Sequence, residues 1–311
     1  MPAISPVQHL SPLCCILTQN DPYFTLSQEV FPAYAKINLG LLVLNKRPDG
    51  YHNIKTVFHR IDLFDRVSFT PSADISVIST SPDAPSDESN ICHKAARLLR
   101  ERLDVREGVT ITIDKRIPVG AGLGGGSSDA ATVLLHLPGF WRRSASAESL
   151  RDLALELGSD VPYFLGKGSA AATGRGEILD YFDLNIPFTI LLSNPNIHVA
   201  TGWAYGQLRP QSGREAADLK EILLQGVKDP RILNGKLVND FEPAVFTAHP
   251  EIGNLKSHLS SSGAHYAAMS GSGSSVYGLF SDRQVAEELG SSLRARGYRT
   301  FITPPYFHPA E

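Results

Sequence analysis

Between Lys115 and Thr132 the chain reads KRIPVGAGLGGGSSDAAT, and Gly120, Gly122, Gly124, Gly125 and Gly126 place five glycines in seven positions ahead of a helical pattern. Residues without a Cβ let the backbone enter the left-handed region and let N–H groups close on a ligand unobstructed. The spacing predicts a helix beginning at Ser127, which adds free N–H groups and the positive end of a helix dipole. Together these make an anion site, and polyphosphate is its commonest occupant. Ser127 and Ser128 offer hydroxyls to phosphate oxygens or to Mg²⁺. Asp129, in the first helical turn, reads as a favourable charge at the helix start. A tight turn packing a helix onto a sheet would need one or two glycines rather than five.

Two other glycine-rich phosphate loops fit less well. A Walker A loop is excluded, because no Gly-Lys-Ser/Thr closes the run. Gly120, Gly122 and Gly125 match G-x-G-x-x-G, the dinucleotide fingerprint. The strand before them, VTITIDK (109–115), alternates polar and apolar like a half-exposed antiparallel strand, whereas the first strand of a dinucleotide fold is buried on both faces. Lys115, Arg116 and Pro118 also separate that strand from the loop.

The chain has 311 residues, more than one comfortable core, so two domains are expected. A formal net charge of −3 and scattered arginines give no basic stripe for a phosphate backbone, which argues against a nucleic-acid partner. Cys14, Cys15 and Cys92 are too few for a disulfide framework or a four-ligand zinc site. Residues 1–30 hold no Lys or Arg and carry a short apolar run at 13–17, unlike a signal peptide, and no stretch is long and apolar enough to span a bilayer. A cytoplasmic enzyme with a small-molecule substrate, away from membranes, is the expectation; oligomeric state is not read.

Along the chain, 1–30 is expected to be a loose extension rich in proline. AKINLGLLVL (35–44) places Ala35, Ile37, Leu39, Leu41 and Val43 on one strand face and Lys36, Asn38 and Gly40 on the other. A Pro-Asp-Gly turn follows at 48–50, then strands at 53–61 and 66–70, in what reads as an antiparallel meander. Helices are expected at 91–103, 127–137 and 147–158, the last stopped by Gly158. After a strand at 188–193 come helices near 216–226, 239–248, 250–260 and 283–296, with strands near 265–269, 274–280 and 298–303. The domains are accordingly placed at 31–185 and 186–311.

At the glycine loop the sequence resembles the GHMP kinases, the galactose, homoserine, mevalonate and phosphomevalonate kinases. Their signature, P-x-x-x-G-L-G-x-S-S-x-A, is met by Pro118, Gly122-Leu123-Gly124, Ser127-Ser128 and Ala130, with one extra glycine. Further motifs follow in the family's order: AYAKINLGL (33–41), RPDGYHNI (47–54), GAGLGGGSSDAAT (120–132), LGSDVPYFL (157–165) and MSGSGSSV (269–276). These match most closely the member whose alcohol substrate carries a diphosphocytidyl group. The resemblance implies an α+β, two-domain architecture. Its N-terminal domain is like ribosomal protein S5 domain 2, its C-terminal domain is ferredoxin-like, and the active site lies in the cleft between them.

It also implies ATP and Mg²⁺, with the nucleotide held by Asn90, Lys115, Pro118, Val119, Gly120, Ala121, Gly122, Leu123, Gly124, Gly125, Gly126, Ser127 and Ser128. Asp160 in LGSDVP matches the family's base and Lys36 its partner. An ammonium beside a carboxylate keeps it ionised and lowers the cost of an alkoxide. Without the resemblance, Asp160 reads as a helix cap, Lys36 as a solvated strand residue and Asn90 as a plain N-cap. Tyr51 and His52 match residues that stack on and contact cytosine, Tyr205 is expected on the ring's other face, and Asn38 on a substrate polar group. Gly271, Ser272 and Gly273 match a turn near the substrate's phosphates. Asn239-Asp240-Phe241-Glu242 matches a further element without an evident chemical role. Metal ligands are not identified beyond Ser128 by analogy. Another GHMP kinase, or a non-catalytic nucleotide-binding protein on the same fold, remains an alternative reading.

Overall fold

The computed structural model describes residues 29–208 and 217–309. Most of the N-terminal extension, Cys14 and Cys15, and the extra residues near 209–215 fall outside the described residues.

Four layers stack in sequence. The first sheet contains β1 (Val30–Lys46), β2 (His52–Ser72), β3 (Ile75–Ser79), β4 (Gly108–Asp114), β5 (Ser169–Thr173) and β6 (Ile178–Phe182). Its strands run β3-β4-β2-β5-β6, with β1 laid antiparallel along β2. One face of this sheet carries α1 (Ile91–Arg102), α2 (Gly125–Phe140), α3 (Ala147–Leu157) and α4 (Val161–Leu165). The helices dock because their apolar residues recur at helical spacing; Cys92, Ala95, Ala96 and Leu99 of α1 form one buried stripe.

The chain leaves the first sheet after Phe182 and enters the second at Thr189. That sheet holds β7 (Thr189–Asn194), β8 (Tyr266–Met269), β9 (Val276–Phe280) and β10 (Arg299–Thr303), all antiparallel in the order β10-β7-β9-β8. This is the split βαβ order of a ferredoxin-like unit. Its outer face is covered by α5 (Thr201–Gln207), α7 (Glu242–Ala248), α8 (Pro250–Ser261) and α9 (Arg283–Ala295), while α6 (Leu219–Gly226) packs at the seam. Among the described residues no helix is long and apolar enough to cross a membrane.

The two sheets pack face to face, and alternation along each strand decides which core a side chain joins. Ile190 and Leu192 of β7 meet Ala35, Ile37 and Leu39 of β1 in the middle core, while Leu191 faces the outer helices. Because β1 is covered on both sides, Lys36 and Asn38 are buried rather than solvated, unlike the half-exposed strand expected of them.

Three sequence expectations shift. The strands at 53–61 and 66–70 are one 21-residue strand, β2. The polar interval that suggested a break includes Asp65, which is fully buried because the backbone N–H groups of Arg116 and Ile117 donate to its Oδ1. Helix α2 starts at Gly125 rather than Ser127, after Gly124 in the left-handed region at φ 68°. The start of the fold is not a simple meander either, since β3 runs parallel to β4.

Leu39 is fully buried in the middle core. Leu39→Ala is expected to lower unfolding stability by about 2–5 kcal/mol, read from the midpoint of urea denaturation at constant slope.

Candidate active site

Lys36 enters the site from β1, where its backbone N–H donates to Leu123 O at 3.0 Å and ties the strand to the glycine loop. Its side chain has room because Gly124 lacks a Cβ; one there would lie 3.1 Å from Lys36 Cε. The ammonium donates to Asn38 Oδ1 at 2.6 Å and to Gly122 O at 3.4 Å, and stands 3.4 Å from Asp160 Oδ2. Lys36 is 4% exposed and Asp160 34%, so a buried cation faces a carboxylate open to the cleft.

Asp160 occupies the N-cap position of α4 but makes no capping bond with its side chain. The carboxylate turns instead to Lys36, which removes the plain helix-cap reading. Arg60 holds α4 in place by donating from Nη2 to Phe164 O and Gly166 O, with its guanidinium over the Tyr163 and Phe164 rings.

The glycine loop closes against the second glycine turn. Gly122, at φ 78°, comes so near Ser270 that a Cβ on it would lie 2.1 Å from Ser270 O. Ser270 Oγ donates to Gly122 O at 2.9 Å and accepts from Asn38 N–H at 3.2 Å. Asn239 donates through Nδ2 to Met269 O and Gly271 O, and Glu242 Oε1 accepts Met269 N–H. Asp240 Oδ2 accepts Val43 N–H from β1. The Asn239-Asp240-Phe241-Glu242 element therefore clamps the Gly271–Gly273 turn to the first sheet.

Below the loop lies a buried charge cluster. Lys115 Nζ bonds Asp65 Oδ2 and lies 2.8 Å from Asp129 Oδ2. Burial opposes the Lys115 charge, but the two carboxylates outweigh it and hold the ammonium above the ordinary lysine range. Asp129 has the contrary balance: burial pushes its carboxyl up to about 7 against the pull of Lys115, and its Oδ1 is buried without a hydrogen-bond partner. Asp129 is thus no solvated charge at a helix start, and Lys115 no free cation.

A cavity of about 450 Å³ joins these parts, bounded by the glycine loop, Lys36, Asn90, Asp160, Gly271 and Ser272. Ser127 lines it. Ser128, one step round α2 and 2% exposed, does not, which corrects the expectation that its hydroxyl is offered to the ligand. Asn90 is the N-cap of α1, accepting from Cys92 N–H at 2.8 Å and donating to Pro85 O at 2.6 Å while still edging the cavity. Gly273 is absent from the lining.

A second cavity of about 710 Å³ adjoins the first and is lined by Tyr51, His52 and Tyr205. His52 and Tyr205 already stack on each other, centroids 5.0 Å apart and planes 20° from parallel. The expectation puts Tyr51 and Tyr205 on opposite faces of cytosine with His52 contacting it, and here the His52 ring lies against Tyr205. Tyr51 is 53% exposed, with the Arg175 guanidinium 4.8 Å from its ring centre.

Residues 90–168 match the GHMP kinases N terminal domain and residues 219–299 the GHMP kinases C terminal domain. A protein of Chlorobium limicola named 4-diphosphocytidyl-2-C-methyl-D-erythritol kinase is 47% identical over 277 residues, which are 88% of this chain and 96% of that one.

This chain belongs to the GHMP kinases.

A protein of Prosthecochloris aestuarii with the same name is 45% identical over 278 residues, 88% of this chain and 96% of its own. A crystal structure of 4-(cytidine 5'-diphospho)-2C-methyl-D-erythritol kinase, 34% identical, superposes with a TM-score of 0.76 over 88% of this chain and 98% of that one. A homoserine kinase from Cytophaga hutchinsonii, 19% identical, shares the fold with a TM-score of 0.66 over 92% and 98%. As in other GHMP kinases, the phosphoryl donor is ATP. Sequence reasoning missed Asp65, Thr56, Arg175 and Ser270. Ser270 lay inside the quoted MSGSGSSV motif, Asp65 and Thr56 bond to residues on other segments of the chain, and Arg175 meets the Tyr51 ring only through the fold.

Two expectations follow. Gly122→Ala should abolish activity, because both the positive φ and the Ser270 carbonyl exclude a Cβ; folded yield and turnover report it. Asp129 binds its proton more tightly when folded, at about 7 against 3.8, so its contribution to stability is present below pH 4 and lost as pH rises to about 7. Asp129→Asn should flatten that decline in thermal melting between pH 5 and 8.

Proposed function

We propose that this kinase transfers the γ-phosphoryl group of ATP to the 2-hydroxyl of 4-diphosphocytidyl-2-C-methyl-D-erythritol, a step of the non-mevalonate isoprenoid pathway. The observation that carries it is the Lys36–Asp160 pair at the mouth of the glycine cleft, in a chain 47% identical to a relative of that name. ATP lies along the loop with its phosphates on the backbone N–H groups from Gly120 to Gly126 and the start of α2, a ready anion site. Pro118, Val119, Ala121 and Leu123 shape its edge, and Asn90 and Lys115 border the adenosine. Mg²⁺ would arrive on the nucleotide, with Ser127 the hydroxyl this cleft offers it and phosphate charge the thing it neutralises.

Phosphoryl transfer needs positioning, charge neutralisation and a proton acceptor. Asp160 takes the hydroxyl proton, and Lys36 stabilises both the carboxylate and the developing alkoxide. Asn38 has its carbonyl engaged by Lys36 and one N–H by Thr56 Oγ1 at 2.9 Å, leaving its second N–H for the substrate. Gly271 and Ser272 approach the substrate's phosphates, with Ser272 Oγ 3.1 Å from Thr201 Oγ1. Cytosine takes the cavity of Tyr51, His52 and Tyr205, and its entry parts the His52–Tyr205 stack. The domains divide at 31–185 and 186–311, and the enzyme acts in the cytoplasm.

The test is ADP release in a coupled assay with ATP, Mg²⁺ and each candidate alcohol, namely the cytidyl substrate, mevalonate, phosphomevalonate, homoserine and galactose. Turnover confined to the cytidyl substrate is expected. Asp160→Asn and Lys36→Ala should each lower kcat by about 10²- to 10⁴-fold, the usual share of a positioned acid–base group, with ATP still bound. Turnover of another alcohol instead would sink the substrate assignment.

A further inference from the structure

The two cavities share a wall. Four residues line both: Asp160, Arg175, Thr201 and Tyr205. Arg175 is the one cation among them. It stands at the tip of the turn joining β5 to β6, between Gly174 at φ 69° and Gly176 at φ 115°. That turn is held inward. Gly174 O accepts Ile54 N–H at 2.7 Å, and a Cβ on Gly176 would lie 3.7 Å from Asp160 Oδ1. The guanidinium rests over the Tyr51 ring, 4.8 Å from its centre, and its Nε is 3.6 Å from Glu177 Oε1. Its side chain is 26% exposed.

An alcohol with a cytidine at one end and the reacting hydroxyl at the other carries its diphosphate in between. With the base in the His52 cavity and the hydroxyl at the Lys36–Asp160 pair, that diphosphate crosses the shared wall. It would pass beside the Asp160 carboxylate, which repels it, so a countercharge is needed there. A guanidinium is the group whose planar fork matches phosphate oxygens in pairs, and a ring beneath it fixes its plane in advance.

We infer that Arg175, oriented by the face of Tyr51, binds the diphosphate of the nucleoside-diphosphate alcohol and so sets the enzyme's preference for a diphosphate-linked substrate. This rests on the substrate reading above. Arg175 holds the substrate's charge away from Asp160 and contributes through binding of the non-reacting part of the molecule. Lys46, the other cation of the second cavity, is exposed and does not line the first.

The experiment compares CDP and cytidine as ligands of the full chain by calorimetry, with kinetics of the cytidyl substrate alongside. The unaltered protein should bind CDP more tightly than cytidine. Arg175→Gln should remove that margin, weakening CDP by about 10- to 100-fold, the worth of a charged hydrogen bond, while cytidine affinity and KM for ATP stay as they were. Arg175→Lys should keep part of the margin. Glu177→Gln, which retains the guanidinium and removes its carboxylate neighbour, should leave CDP binding as tight or tighter. Equal losses of CDP and cytidine in Arg175→Gln would reveal a merely structural residue, and CDP binding that survives the change would overturn the inference alone. Unaltered protein that ignores both ligands would overturn the substrate reading and the inference together.

Discussion

The approach of Gly122 to Ser270 brings two backbones closer than any Cβ would permit, and the site is assembled around that contact. Gly122 O is the point where Lys36 Nζ and Ser270 Oγ both donate. Ser270 in turn takes the Asn38 N–H, and Asn38 takes the Lys36 ammonium. Two residues of β1, one of the glycine loop and one of the turn after β8 thus close a ring of hydrogen bonds around the cation. Separating the sheets by the width of a methyl group would open that ring and leave a buried ammonium under-satisfied, a costly state. The seam between the domains is therefore also what positions the chemistry.

The layer order explains why such a contact can be held. β1 is sandwiched between the first sheet's helices and the second sheet, so its backbone cannot relax outward. The middle core of Ile37, Leu39, Ile190, Leu192 and Tyr277 presses the sheets together, and Tyr277 Oη donates to Asn38 O at 3.0 Å within it. Beneath the loop, Asp65 draws in Lys115 and the Arg116 and Ile117 N–H groups. That fixes the base of the loop from the side remote from the seam. The cleft is braced on two flanks, and on its third side it meets the second cavity at the Arg175 turn.

Much of the fold was legible wherever periodicity was strong. Helices α1 and α3, strands β4 and β7 to β10, and the 48–50 turn fall where alternation and capping residues placed them. Strand β5, SAAAT, was not visible, because alanine has little strand preference and gains its place from pairing with β2. Helix α4 is five residues long and α5 seven, too short for a periodic signal. β2 seemed divided because an aspartate in a strand reads as a break, and the groups that satisfy Asp65 lie some 50 residues on in the chain.

The sequence by itself determined the glycine loop and the order of the family's motifs, since each is carried by residue type at short spacing, whereas Lys36 and Asp160 were paired only through the resemblance. Tertiary structure alone decided that Ser127 lines the cleft while Ser128 is buried, because the docking of α2 on the first sheet sets which of its faces is covered. It also decided that Lys115 and Asp129 are a buried pair, that His52 and Tyr205 close on each other, and that Arg175 lines both cavities. The reason is common to all of these. Burial, ion pairing and the sharing of a wall between two cavities depend on distances between segments far apart in the chain, and no local pattern encodes them.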